Sequence, residues 1–180
     1  MATTLPSASE HDNVTSGQDI IDLISNCADC KQITNGANYV ISYIHLSNLV
    51  LPKRPKIGII VNTEHDDSSD IGHWFLCYIH ANHTMILADG LNQVESKKPE
   101  VLKAVTAFCY LNNLIYTSLD IRCQLESSST CGYICCFFLA KASLLSLKGL
   151  LLLRETMKRN SIHTNEAYAI HFVRKHFIDT

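Results

Sequence analysis

The segment from Cys131 to Leu153 constrains the fold of this chain more than any other part of the sequence. It is strongly apolar, and Lys141 and Lys148 are its only charged residues. Each lysine would cost about 3 kcal/mol near the centre of a bilayer, so the segment would make a poor transmembrane helix. The same composition is typical of a helix packed inside a globular domain. We therefore predict a long buried helix that begins at Cys131 and no membrane span.

Length and composition predict one domain. The chain has 180 residues, of which 47% are apolar and 18% charged, which suits one well-packed domain and is short for two. Residues 1–17 are polar and lack periodic apolar positions, so we expect a flexible N-terminal lead before a single domain over residues 18–180. The lead has no basic start and no apolar run, which predicts a protein that is not secreted.

Charge and cysteine content exclude several classes of site. Fifteen Lys and Arg oppose 17 Asp and Glu for a net charge of -2, so no overall basic field would attract nucleic acid or anionic lipid. In the reducing compartment expected here, the eight cysteines are predicted to be thiols. Cys27 and Cys30 have the spacing of zinc ligands, but no second pair follows at the usual distance. We therefore predict no metal site and no cofactor.

The pattern of apolar residues predicts a sheet packed with helices. The segments at 73–80 and 85–88, joined through Ala81-Asn82-His83, indicate a β-hairpin. The other predicted strands are residues 57–63 and 114–123, and the other predicted helices are residues 19–25, 99–111 and 165–177. Together they predict an α+β fold with a mostly antiparallel sheet and with Cys131 at the N-terminus of the long buried helix.

Cys131 is a candidate nucleophile because of its place at the start of that helix. A thiol attacks as the thiolate, and a helix N-terminus favours negative charge. Thr130 is a suitable N-cap residue, and Gly132 leaves room for a substrate backbone. A structural thiol, like those of Cys135 and Cys136, fits the helix pattern equally well.

Two residues of the predicted hairpin could assist such a thiol. His73 opens the first strand after a polar loop, where a side chain can face a cleft and act as a base. Asp89 ends the second strand, and its carboxylate could hold the other nitrogen of the imidazole. A lone strand histidine is more often structural, however, and an Asp before Gly90 is a common turn-capping pair. The residue types alone leave these alternatives open.

The sequence resembles the adenovirus cysteine protease at several of these positions. The matching features are residues 60–63, the His73-Trp74 pair, the acidic Asp89, Gln124 seven positions before Cys131, and the segment from Cys131 to Leu139 with its paired cysteines. The resemblance covers residues 57–140 well and the ends loosely. The order His, Asp, Gln, Cys differs from that of papain. It fits the clan that contains adenoviral, poxviral and SUMO-specific proteases.

The resemblance implies an adenain-like cysteine endopeptidase, a thiol protease. Cys131 would be the nucleophile, His73 the general base and Asp89 the group that orients the imidazole. Gln124 and the backbone N–H of Cys131 would stabilise the oxyanion. Asp89→Asn would keep much of the activity, because an amide oxygen still accepts from an imidazole N–H.

The resemblance also implies which substrates the chain cleaves and where it acts. Substrates would be viral capsid or core precursors, cleaved at Gly-containing sites during virion maturation, in the virion and in the host nucleus or cytoplasm. Two alternatives remain: an isopeptidase that removes ubiquitin or SUMO, and a non-catalytic adaptor with the same fold.

Two features of the adenoviral enzyme do not transfer. That enzyme is activated by a short peptide through a disulfide to a cysteine on the strand before the glutamine. Here residues 112–121 hold no cysteine, and only Cys109 and Cys123 flank them. An activating peptide would therefore act without that disulfide. The adenoviral enzyme also uses DNA, which suits a basic protein, and at a net charge of -2 we expect no DNA dependence.

Overall fold

The computed structural model describes residues 16–27, 38–52, 56–64, 72–80 and 83–178. Most of the predicted lead, residues 1–15, and Cys30 of the candidate zinc pair lie outside the described residues. The described part of the chain forms an α+β fold, as predicted. In chain order its elements are α1 (Gly17–Asn26), β1 (Asn38–Ser42), α2 (Tyr43–Leu46), β2 (Ile57–Asn62), β3 (Trp74–His80), β4 (Thr84–Ala88), α3 (Val94–Lys97), α4 (Pro99–Leu111), β5 (Ile115–Ser118), α5 (Cys131–Leu144), α6 (Leu147–Arg159), α7 (Ile162–Val173) and a π-helical turn (Arg174–Ile178).

The sheet is mixed, with strand order β1-β2-β3-β4-β5. Its three central strands are antiparallel, as predicted, and β3 and β4 form the predicted hairpin. The edge strands differ: β1 runs parallel to β2, and β5 runs parallel to β4. A parallel neighbour needs a crossover connection, and α4 provides it between β4 and β5. The sequence pattern did not indicate β1, whose five residues are mostly half-buried.

Helices cover both faces of the sheet. Side chains alternate along β3, so Leu76 and Tyr78 join the core formed with α1, α5 and α7, whereas Phe75, Cys77 and Ile79 join the core formed with α2 and α4. A strand buried on both faces appears in the sequence as a continuous apolar run. Because β2 and β3 are buried on both faces, their sequences are continuous apolar runs, and these runs predicted the strands without an alternation of apolar and polar residues.

The long apolar segment forms two helices rather than one. α5 buries every residue except Lys141 and Leu144, in agreement with the predicted buried helix from Cys131. The chain then turns at Ser146, whose side chain accepts from the N–H of Gly149 at 3.2 Å and caps α6. None of the helices in the described ranges is long and apolar enough to cross a bilayer.

The strand predicted at 114–123 ends early, at Ser118. Asp120 has a φ of 46°, a left-handed conformation that cannot continue a strand. Residues after it turn toward β4 instead, and the N–H groups of Cys123 and Gln124 both donate to the carbonyl of Gly90, at 2.9 and 3.1 Å. The prediction of a strand through Cys123 was therefore wrong, and the correction places Gln124 beside the end of the hairpin.

Predicted helix boundaries are met in part. The helix predicted at 99–111 matches α4, which begins with Pro99 at a position where proline costs no hydrogen bond. The last helix begins earlier than predicted because Ser161 caps it, accepting from the N–H of Thr164 at 3.1 Å. It ends at Val173, where a π-helical turn follows.

Candidate active site

His73, Asp89 and Cys131 meet at one end of the central hairpin. His73 immediately precedes β3, Asp89 immediately follows β4, and the antiparallel pairing places both at the same end of the sheet. Cys131 is the first residue of α5, which packs on β3. All three side chains are buried, with 7–9% of the surface of each residue exposed.

The imidazole of His73 lies between a carboxylate and a thiol. Its backbone is held by Thr63, whose hydroxyl accepts from the N–H of His73 at 3.0 Å. The ring Nε2 lies 2.6 Å from Oδ1 of Asp89, and the ring also hydrogen-bonds to the side chain of Cys131. Because Nε2 faces Asp89, Nδ1 is the nitrogen that remains for the thiol.

These contacts determine the charge of the histidine. Burial disfavours the imidazolium, but the hydrogen bonds to Asp89 and Cys131 and the charge of Asp89 outweigh it and raise the pKa of His73 to about 9. An imidazole with this pKa holds its proton at neutral pH. It can therefore pair with a thiolate and later give the proton to a leaving group.

Asp89 combines the two roles that the sequence left open. Its Oδ1 accepts from His73 and from the N–H of Leu91 at 3.0 Å, while Oδ2 accepts from the N–H groups of Gln93 and Val94 at 2.6 and 2.8 Å. Burial opposes the charge of this carboxylate, but the bond and charge of His73 and the backbone donors lower the pKa of Asp89 below its ordinary value. It is both a turn-capping carboxylate and the partner of the imidazole.

Neighbouring polar residues point elsewhere. Asn92 donates from Nδ2 to Asp120 at 3.0 Å, and Glu95 accepts from the hydroxyl of Tyr116 at 3.4 Å. Both side chains have partners away from His73. Asp89 is thus the acid that the fold brings to the imidazole.

Gln124 lies beside the residue that follows Asp89. Its side chain is buried, with 1% of the residue exposed, and Nε2 donates to the carbonyl of Ser128 at 3.2 Å. Oε1 finds no partner among the described residues. The neighbouring residue, Gly90, packs closely against α5. A Cβ at this position would lie 2.8 Å from Cγ2 of Ile134, which is too close. The second hydrogen of Nε2 is left for another acceptor.

The start of α5 lacks the side-chain cap that the sequence predicted. Thr130 has a φ of -91° and a ψ of 9°, and its hydroxyl makes no cap hydrogen bond to α5. It donates instead to Oε1 of Glu166, at 2.6 Å. The hydroxyl of Thr130 therefore does not bind the N-terminus of α5, and an anion is a favourable partner at a helix N-terminus.

Glu166 was missed by sequence reasoning. It is a buried carboxylate on α7, 36 positions after the Thr130 that it contacts. One signal could have found it: Glu166, Ala169 and Val173 are spaced like one buried stripe of a helix, and an acid in such a stripe needs a polar partner.

Five other described thiols differ from Cys131 in their surroundings. Burial raises the pKa of Cys109 to about 11 and raises the pKa values of Cys77, Cys123, Cys135 and Cys136 further. None of these thiols has a histidine hydrogen bond such as His73 makes to Cys131. The described residues contain no group of three or more His, Cys, Asp or Glu side chains that could hold a metal ion.

Comparisons with known proteins identify no sequence family. No protein-family model matches the chain, and no curated protein matches it significantly. Among solved structures, the chain is similar to the selenomethionine ASFV pS273R protease, with 12% identity over 91% of this chain and 70% of that one and a TM-score of 0.49. It is also similar to AvrA, solved as a deletion variant with IP6 and CoA, with 16% identity over 87% of this chain and a TM-score of 0.46. The chain spans 58% of AvrA, less than two thirds of its length.

Proposed function

We propose that this chain is a cysteine endopeptidase. The observation that carries the proposal is the position of His73, with Nε2 at 2.6 Å from Asp89 and a second hydrogen bond to Cys131. A buried structural histidine needs hydrogen-bond partners, but it does not need a carboxylate on one side and a thiol at a helix start on the other. That combination is what nucleophilic catalysis by a thiol requires.

The chemical steps follow from these positions. His73 holds the proton, and the Cys131 thiolate attacks the peptide carbonyl carbon, so that a C–S bond forms and the carbonyl electrons move to oxygen. Gln124 Nε2 and the N–H of Cys131 donate to that oxyanion, where one donor is worth about 3 kcal/mol in comparable sites. The C–N bond then breaks as His73 gives its proton to the leaving amine.

The second half of the reaction hydrolyses the thioester and regenerates the free enzyme. Water attacks the thioester carbonyl while His73 takes one of its protons, and the C–S bond breaks to release the acid and the thiolate. Asp89 keeps the imidazole oriented with Nδ1 toward sulfur in both halves.

The substrate class rests on the resemblance of residues 57–140 to the adenovirus protease. On that basis the chain cleaves viral capsid or core precursors at Gly-containing sites during virion maturation, in the virion and in the host nucleus or cytoplasm. Any activating peptide acts without the family disulfide, and DNA is not required. The complete set of four site residues favours an enzyme over a non-catalytic adaptor.

A cleavage assay with two substrate types tests this proposal. The purified chain is offered Gly-containing capsid-precursor peptides and, separately, ubiquitin-like fusions, with Cys131→Ala as control. We expect cleavage of the peptides and none by the variant, whose fold should persist because one sulfur at a helix start contributes little packing. Cleavage of the fusions alone would identify an isopeptidase. No cleavage of either, together with an unreactive Cys131, would identify an adaptor.

A further inference from the structure

Glu166 is a buried carboxylate that the reaction just described does not use. It lies on α7 with 5% of its surface exposed. In the described part of the chain, no Lys, Arg or His forms an ion pair with it. A buried charge without a cation must be stabilised by hydrogen bonds, and its donors show what it holds in place.

Among the described residues, its hydrogen-bond donors come from one short loop. Oε1 accepts from the hydroxyl of Ser128, from the hydroxyl of Thr130 at 2.6 Å and from the N–H of Leu125 at 3.4 Å. Residues 125–130 connect Gln124 directly to Cys131. Hydrogen bonds to a carboxylate are roughly twice as strong as neutral ones. One oxygen of α7 therefore holds both ends and the middle of this loop.

The loop in turn holds the amide of Gln124. Nε2 of Gln124 donates to the carbonyl of Ser128, the residue whose hydroxyl donates to Glu166. Thr130, the other hydroxyl donor, immediately precedes α5 and has no capping bond to it. A shift of the loop would move the Gln124 amide and the first N–H groups of α5 relative to each other.

We propose that Glu166 is a positioning residue for the oxyanion donors, acting through residues 125–130 on Gln124 Nε2 and the N-terminus of α5. This inference rests on the proposed cysteine-protease function. Oxyanion donors are effective only at about 2.7–3.1 Å from the oxygen, so a displaced loop weakens them. The histidine that pairs with the thiol is held by other contacts, because His73 is bound by Thr63 and Asp89. Loss of Glu166 therefore affects acyl transfer more than it affects the reactivity of the thiol.

Two small probes of Cys131 separate these effects on the full chain. Iodoacetamide forms a C–S bond with loss of iodide and passes through no oxyanion. p-Nitrophenyl acetate forms a C–S bond at its carbonyl, passes through an oxyanion and releases p-nitrophenolate. The ratio of the acylation rate to the alkylation rate reports on the oxyanion donors. Rates of Cys131→Ala are subtracted as background, so that neither probe requires knowledge of the natural substrate.

Glu166→Gln and Thr130→Val are the test variants. We expect each variant to lower the ratio at least about tenfold. This is less than the roughly 10²–10³-fold loss of rate that follows complete removal of an oxyanion donor. Thr130→Ser, which keeps the hydroxyl, should recover most of the loss seen with Thr130→Val. Glu155→Gln is the matched control, since Glu155 is a half-exposed carboxylate on α6 that pairs with Arg154. Its ratio should stay within about twofold of the parent.

The outcomes separate the two proposals. An unchanged ratio in Glu166→Gln and Thr130→Val, or acylation and alkylation falling by the same factor, overturns the role of Glu166. If Glu166→Gln does not fold, Thr130→Val decides, because it exchanges one hydroxyl for a methyl group of similar size. If the parent chain shows no Cys131-dependent acylation while all variants fold, the proposed protease function fails instead.

Discussion

Replacement of Asp89 by asparagine tests the geometry of the site most directly. The carboxylate accepts four hydrogen bonds, two on each oxygen, whereas an amide has one oxygen. If the amide oxygen faces His73, the N–H groups of Gln93 and Val94 lose their acceptor. If it faces those two N–H groups, the amide nitrogen faces His73 and forces the imidazole proton onto Nδ1, toward the thiol. The second arrangement leaves fewer orphaned donors and should prevail.

The magnitude follows from the bonds lost. An orphaned buried N–H costs about 1–3 kcal/mol, and a hydrogen bond to a charged group contributes about 1.5–3 kcal/mol. We therefore expect Asp89→Asn to lower the free energy of unfolding by about 2.5–6 kcal/mol, the sum of one such loss of each kind. The wrong tautomer should lower acylation at least about 10²-fold, approaching the roughly 10⁴-fold loss of serine proteases with the same change. This prediction replaces the expectation that Asp89→Asn keeps much of its activity because an amide oxygen still accepts from the imidazole N–H.

The pH dependence gives a second readout of the same variant. The rise of the His73 pKa from 6.5 to about 9 is worth roughly 3 kcal/mol of stability, fully present below pH 6.5 and lost as the pH rises through about 9. The lowered pKa of Asp89 contributes stability above its ordinary value of 3.8 that is lost as the pH falls below it. The stability difference between parent and Asp89→Asn should therefore be largest between about pH 4 and 6.5 and should shrink toward pH 9.

Urea unfolding across this pH range and NMR titration of His73 measure both effects. The control is Asp120→Asn, a change at an exposed carboxylate bound to Lys158, which should alter stability by less than about 1 kcal/mol. An Asp89→Asn variant with parental stability, a His73 pKa still near 9 and parental acylation would refute the reasoning.

Three further predictions address the thiol, the amide and the packing of the site. At pH near 6.5, iodoacetamide should label Cys131 before the five thiols whose pKa values burial raises, namely Cys77, Cys109, Cys123, Cys135 and Cys136, and mass mapping that finds uniform labelling would contradict this. Gln124→Ala should lower acylation by p-nitrophenyl acetate about 10²–10³-fold and leave alkylation nearly unchanged, as stopped-flow rates would show. Gly90→Ala should cost about 1–3 kcal/mol of stability in urea unfolding, since its Cβ would lie 2.8 Å from Ile134, and a neutral result would show that α5 can move away.

The sequence by itself determined the elements whose signals are local. The apolar runs of β2 and β3, the short loop of the hairpin and the proline at the start of α4 identified those segments, because periodicity, turn length and caps act between near neighbours. The predicted hairpin also placed His73 and Asp89 at the same end of the sheet, because the residue before the first strand of a hairpin lies beside the residue after the second strand. The apolar composition from Cys131 onward predicted burial of α5.

Only the tertiary structure decided the features that depend on distant residues. Local signals do not show that β1 and β5 pair in parallel, because the pairing energy comes from strands elsewhere in the chain. Thr130 appeared to be a cap, but a carboxylate from α7 competes for its hydroxyl. The residue type of Asp89 suits both a turn and a partner for an imidazole, and only the fold shows that its two oxygens face different donors. Hydrogen bonds between residues far apart in sequence leave no periodic trace, and those of His73 with Asp89 and of Thr130 with Glu166 are such bonds.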